Sequence, residues 1–436
     1  MENYFNRYKY FIFTIIIYIP ILISSSKYLD FLIFYTLINS LFLSFLIKFN
    51  EFELINFSKN TYFLIFLSFF FIIFQILPWG DQIIRYLSPQ SFEYYGYLGS
   101  EVEKFITLNP LNTLKFLFIY LSIILIFLIC RNLIKKKRDL QKIFKSFVII
   151  TIIYLLYSFI RFFYNSNLLD FSSTIINRNH FCFYLVICFT TLITYINFYN
   201  QYFIKKNFFK FLFSEITLAR ITIIIICIGI ILTKSRSGNL TFLIVLISYF
   251  CIDFYQYKKI TFLGKVLISI FIIDIGILNY FIGLDVVIDR ISNTSFIEEH
   301  LRIDVFTFSL DQIKNFIFFG YGLGNFETIF RLEYALNETF YDHVHNDYLE
   351  YFGELGIVGS VIFLYSFFTI IAKTINSQKL NILKIQIIMI LIAITFHSIF
   401  DFALHMPSII FLLSFIIGIS SCKLNRSVTP TPLKKI

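Results

Sequence analysis

Apolar residues in this chain fall in unbroken blocks of 15 to 21, far longer than the alternation of a half-buried strand or the stripe of a surface helix. About 20 apolar residues are what a helix needs to cross the hydrocarbon core of a bilayer. Twelve such blocks can be placed, near 10–25, 29–47, 62–79, 113–130, 146–163, 181–199, 218–233, 239–254, 266–282, 356–372, 383–400 and 407–422. The seventh and eighth are short and suit a tilted hairpin. The pattern predicts an all-α polytopic membrane protein of about 12 transmembrane helices with a large helical loop between helices 9 and 10. Residues 1–282 then carry helices 1–9 with a first outer loop near 80–112. Residues 283–355 form the large outer loop, and 356–436 carry helices 10–12 and a cytoplasmic tail. Helical periodicity in IEEHLRIDVFTFSLDQIKNFI (297–317), followed by the glycine turn GYGLG (320–324), predicts a folded cap in that loop.

Composition agrees: of 436 residues 58% are hydrophobic and only 15% charged, well under the quarter typical of soluble domains. The net charge of +10 is not a nucleic-acid signature, because its distribution follows the membrane. Cytoplasmic loops collect Lys and Arg, and the basic stretches RNLIKKKRDLQK (131–142), KKNFFK (205–210), YKK (257–259) and CKLNRSVTPTPLKKI (422–436) fall on alternate connections. With both termini inside, 25 of the 37 Lys and Arg are cytoplasmic. The first block lacks a small-residue cleavage site and is read as a retained helix. Six cysteines lie in or beside apolar blocks without C-x-x-C spacing, which predicts buried thiols acting as small apolar residues.

The outer polar minority carries the chemistry. Residues 283–355 hold 13 acidic and four basic groups, so an anion bound there needs specifically placed cations. Inside there are 20 Lys and five Arg; outside, five Lys and seven Arg. Arg grips phosphate or carboxylate with a planar fork, a task lysine does not reproduce. Arg236, in the polar break TKSRSG (233–238), sits at the outer boundary, where charges are costly and usually functional. Arg302 lies in the cap's first helix. The bland alternatives are a snorkelling helix-end residue and pairing with loop carboxylates. GYGLGNF (320–326) offers N–H groups to an anion or is simply a tight turn.

All six histidines map to the outer half, two of them in HVHNDYLEYFGELGIVG (343–359). Asp347 and Glu350 have capping-box spacing for a helix that begins near Asp347. Asn346, Glu350 and Glu354 then recur on one face, and His345 stands at or just before the helix N-terminus. The helix dipole favours a neutral imidazole there, so His345 is a candidate general base. A structural histidine or half of a metal site with His343 are the alternatives. The i, i+2 spacing suits metal poorly, and no Asp-x-Asp occurs.

The ordered set NRNHF (177–181), SRSG (235–238), an Arg-bearing cap helix, GYGLGNF, HNDYLEYFGELGIVG (345–359) and HSIFDFALHMP (397–407) resembles the O-antigen ligase and polymerase family. TLNPLNTLKF (107–116) is similar to its ligase-like members. The resemblance implies a bacterial inner-membrane glycosyltransferase with its active site facing the periplasm, using no metal or other cofactor. Its donor is a glycan on undecaprenyl pyrophosphate. Acceptors are lipid A-core in ligases, a lipid-linked glycan in polymerases, or a pilin-like protein in related members. By that match His345 takes the base role and Arg236 and Arg302 bind the pyrophosphate. Asn346, Glu354, Asn179 and Asp401 are supporting candidates, and His343 leaves the choice of base open to one rival. The expected partners are the lipid-linked donor, the acceptor and the bilayer. Two readings from other classes compete. A transporter or flippase would need charges near mid-membrane, for which Asp274 is the sole acidic candidate, and a scaffold would need neither Arg236 nor His345.

Overall fold

The computed structural model describes residues 35–40, 43, 59–164, 171–203, 215–259, 264–265, 267–269, 296–334 and 341–424. Among them the chain is helical, with one isolated bridge, Trp79 to Lys104, and no named strand. The helices are α1 (Lys59–Ile76), α2 (Asp81–Leu87), α3 (Pro89–Leu98), α4 (Pro110–Leu133), α5 (Lys137–Tyr164), α6 (Arg178–Phe203) and α7 (Glu215–Leu232). They continue as α8 (Arg236–Tyr257), α9 (Phe296–Asn315), α10 (Phe326–Tyr334), α11 (Asp347–Ser377), α12 (Asn381–His397) and α13 (Pro407–Ser420).

Six helices are long and apolar enough to cross a membrane (α1, α4, α5, α6, α8 and α11), and α7, α12 and α13 are shorter apolar helices. These nine coincide with nine of the twelve expected spans. The spans near 10–25 and 266–282, the latter with Asp274, lie essentially outside the described residues, and of 29–47 only 35–40 and 43 are described, as helix. Helix α6 is the bundle's axis: its spanning window is 94% buried against 28% for α1. It packs on α5, α7, α8 and α12, while α4 holds α13 and α1, and α11 holds α1 and α9. Five of the six cysteines are buried; Cys251 is exposed.

Helix starts are set by local chemistry. Asn109 caps α4 through its side chain to the Asn112 N–H, with Pro110 in the first turn. Ser235 caps α8 by accepting from the Gly238 N–H at 3.1 Å. Short breaks join α7 to α8 and, at the opposite end of the bundle, α11 to α12. Cys182 near the start of α6 lies beside Gly238 at the start of α8, where an added Cβ would sit 2.3 Å from its sulfur.

The described parts of the two long loops form one cap at the end where α4, α6, α8 and α11 begin. Helices α2 and α3 come from the first loop, α9 and α10 from the second. Asn325 donates to Thr107 at 2.7 Å and Thr113 at 2.9 Å, the Leu108 N–H reaches the Tyr321 carbonyl, and Tyr94 bonds Glu333. The GYGLG turn is the hinge of this cap. Gly320, Gly322 and Gly324 all have positive φ (71°, 102° and 79°). Helix α11 breaks at Gly356 (φ 62°, ψ −174°), the boundary where the sequence pattern starts its tenth span. The turn docks into the break. Tyr321 and Gly322 donate to the carbonyls of Gly353 and Glu354, while Ile357 and Val358 donate to those of Ile317 and Phe318. Gln75, fully buried at the end of α1, closes the joint, giving its amide to Phe319 and Glu354 carbonyls and accepting from the Leu323 N–H. With the Tyr321, Gly322 and Leu323 donors so used, the tight-turn reading of GYGLG holds and the anion-cradle reading does not.

Candidate active site

Five histidines, distant in sequence, meet where the cap joins the bundle. The connection from α12 to α13 organises them. His397 ends α12, a 3-10 turn covers Ala403–His405, and Pro407 opens α13. Asp401, fully buried, is the hub: its Oδ1 stands 3.4 Å from His180 Nε2 and 3.5 Å from His345 Nδ1, and its Oδ2 stands 3.9 Å from His397 Nε2. Burial alone would raise the Asp401 carboxyl. The facing His180, with His345 and His397, instead holds it well below the usual carboxylate range. A carboxylate kept ionised between imidazoles can orient and charge-balance a histidine that takes up a proton.

Of these three histidines, His345 is the one that reaches solvent, with 21% of its side chain exposed against 2% for His180 and none for His397. Its backbone is left-handed (φ 58°), a conformation that costs a non-glycine residue about 1–3 kcal/mol. The residues that follow hold it there. Asn346, not Asp347, is the N-cap of α11: its Oδ1 accepts from the Leu349 N–H and its Nδ2 donates to the Ile399 carbonyl, each at 3.0 Å. The Asp347 N–H donates to the Ser398 carbonyl. The helix start is thus fastened to the 398–401 turn, and His345 projects beside Asp401. Phe402 fills the space between, edge-on to His345 and His180 and stacked on His343 at 4.0 Å.

A second cluster lies behind. His405 Nδ1 meets Asp347 Oδ1 at 2.8 Å, and its Nε2 lies 3.3 Å from Glu354 and 3.5 Å from Glu350. Burial disfavours the imidazolium, but Glu350, Glu354 and the bond to Asp347 hold the His405 pKa well above the ordinary value. His343 bonds Glu350 at 2.6 Å, and that carboxylate outweighs burial to raise its pKa. With Nδ1 engaged by the buried Glu350, His343 is the weaker of the two candidates. Glu350 also accepts from the Val344 N–H at 2.9 Å, reaching back beyond the cap as no simple capping box would.

The remaining candidates divide. Asn179 precedes His180 in the first turn of α6, half-buried, with its N–H on the Asn177 side chain. Glu354 is buried in the second cluster. Arg236 is exposed in the first turn of α8, at the same end of the bundle as His180; Thr241 on that helix lies 3.4 Å from His397. Arg302 lies on α9, which packs on α11, and its side chain is outside the described residues. Sequence reasoning missed His397, His405, Asp347 and Gln75 as parts of the site. For His397 and His405 the signal was HSIFDFALHMP itself, with two histidines and an aspartate in an apolar setting.

Helical throughout its described residues, with six helices there long and apolar enough to span a bilayer and five histidines gathered under a cap at one end, the chain is a multi-pass membrane protein. Residues 221–364 match the family model described as O-Antigen ligase, and over that segment the chain is similar to that family. The match includes Arg236, Arg302, the glycine turn, His345 and Glu354, while His180 and Asp401 lie outside it. No curated protein and no solved structure matches the chain.

Proposed function

We propose that this protein moves a glycan from undecaprenyl pyrophosphate to an acceptor hydroxyl at the periplasmic face of a bacterial inner membrane, and that the reaction is O-antigen ligation to lipid A-core. The observation that carries the reading is a partly exposed histidine, His345, whose buried ring nitrogen faces the ionised, fully buried Asp401.

Asp401 faces His345 Nδ1 at 3.5 Å and favours a proton on that nitrogen, which leaves the other to accept one. As the acceptor oxygen attacks the anomeric carbon, its O–H bond breaks towards His345 and a new C–O bond forms. The bond from the anomeric carbon to the diphosphate oxygen breaks, and the diphosphate leaves with the electron pair. General-base help of this kind contributes about 10² to 10⁴ in rate. Charge grows on the diphosphate in the transition state, so the fixed guanidinium groups of Arg236 and Arg302 stabilise that state more than the bound donor. A single in-line displacement inverts the anomeric centre. No step draws on a nucleotide-sugar or a catalytic metal.

Ligation is preferred because both ligase-like stretches belong to the site's frame. NRNHF opens α6 and sets His180 on Asp401, and TLNPLNT ties the cap to α4 through Thr107 and Thr113. The test is transfer by the purified protein from an undecaprenyl-diphosphate-linked glycan to delipidated core, lipid A-core or a lipid-linked glycan. Product on lipid A-core with inverted stereochemistry supports ligation. Lengthened lipid-linked chains make the protein a polymerase, and donor movement across a vesicle without transfer makes it a transporter.

A further inference from the structure

The cluster behind the reaction centre has a different chemistry from the histidine ring around Asp401. Three carboxylates, Asp347, Glu350 and Glu354, surround one imidazole, and each is at most 1% exposed. Among the described residues their ionic partners are histidines. Glu354 adds an independent sign. Among the described residues its Oε1 is buried with no hydrogen-bond partner.

One ligand atom each from Glu350, Glu354 and His405 lie within 4.8 Å of one another. The contacts of His405 Nε2, 3.3 Å to Glu354 and 3.5 Å to Glu350, match the edge of a tetrahedron built on metal–ligand bonds of about 2.1 Å, roughly 3.4 Å. His405 Nδ1 bonds Asp347 at 2.8 Å, and Asp347 is itself fixed by Ser398 Oγ and the Leu404 N–H. Coordinating histidines are commonly oriented by such a carboxylate on the other ring nitrogen.

We propose that Glu350, Glu354 and His405 bind one divalent transition-metal ion of the Zn2+ class, which fastens α11 to the α12–α13 connection. An imidazole beside two carboxylates suits Zn2+ better than Mg2+ or Ca2+, which favour all-oxygen shells. The ion is structural, since its ligands are buried and His345 is not among them. The inference rests on this geometry and not on the glycan-transfer reading.

The test uses the full chain purified in detergent without chelator, with metal content by mass spectrometry and thermal unfolding by circular dichroism. About one Zn2+ per chain is expected, with a melting midpoint that chelator lowers and Zn2+, but not Mg2+, restores. Glu354→Gln and His405→Gln should weaken Zn2+ binding by about 10- to 100-fold or more. Wild-type protein that holds no ion, and whose melting ignores both chelator and added Zn2+, overturns the proposal; this arm needs no variant to fold. Full retention of the ion by both folded variants would place it elsewhere and overturn the proposal equally.

Discussion

Replacing Asp401 by Asn tests the relation between the buried hub and the partly exposed histidine. The substitution keeps size and an oxygen able to accept the Phe402 N–H, which Asp401 now binds at 2.9 Å, so the turn can survive. What it removes is the negative charge 3.5 Å from His345 Nδ1. On the proposed mechanism Asp401 acts only through His345, so its loss cannot exceed the loss of the base, about 10² to 10⁴. Loss of the orienting carboxylate in a Ser-His-Asp triad costs up to about 10⁴. The separation here is longer than a formed hydrogen bond, which places the expected loss near the lower end, about 10²-fold or ~2.7 kcal/mol in the barrier. The assay is initial transfer rate at saturating donor for wild type, Asp401→Asn, His345→Ala and the double variant, each shown folded by circular dichroism. If the two act as a unit, the double variant is no slower than His345→Ala. A further 10²-fold drop in the double variant would refute the coupling and give Asp401 a separate task.

Three other expectations follow from the packing and the charges. In Gly322→Ala the new Cβ would lie 2.1 Å from Thr107 Oγ1 at a φ of 102°, so the cap hinge should lose about 1–3 kcal/mol, read as a lower unfolding midpoint. Gln75→Leu leaves the Leu323 N–H unpaired and removes a donor from the Phe319 and Glu354 carbonyls; each orphaned group costs about 1–3 kcal/mol, measurable by the same melt. Asp401 has a folded pKa depressed below its unfolded value of about 3.9. Its contribution is therefore present above about pH 4 and lost as pH falls through the lowered folded value. Melting measured down through that range should show a drop that Asp401→Asn lacks.

The apolar blocks were enough to place helices because a spanning segment needs little besides length and hydropathy, and the break at Gly356 fell where the tenth block begins. Asn346 and Glu350 were visible as helix-start residues, but their roles depend on distant partners. Asn346 caps while holding Ile399, and Glu350 turns back to His343 and Val344. Nothing local distinguishes Gln75 from any polar residue ending an apolar run; it becomes important only because α1 ends against the kink of α11. Likewise, three histidines from α6, the α11 entry and α12 meet Asp401 only through tertiary packing. Sequence spacing can place Glu350 and Glu354 on one helical face, yet it does not bring His405 between them.

The central claim is that His345 takes the acceptor's proton. Its most direct test is transfer in nanodiscs from an undecaprenyl-diphosphate-linked glycan to lipid A-core, comparing wild type with folded His345→Ala. A loss of about 10² to 10⁴ in rate, with donor binding kept, is the predicted result. A folded variant that transfers as fast as wild type would contradict the account and leave His345 as part of the helix cap.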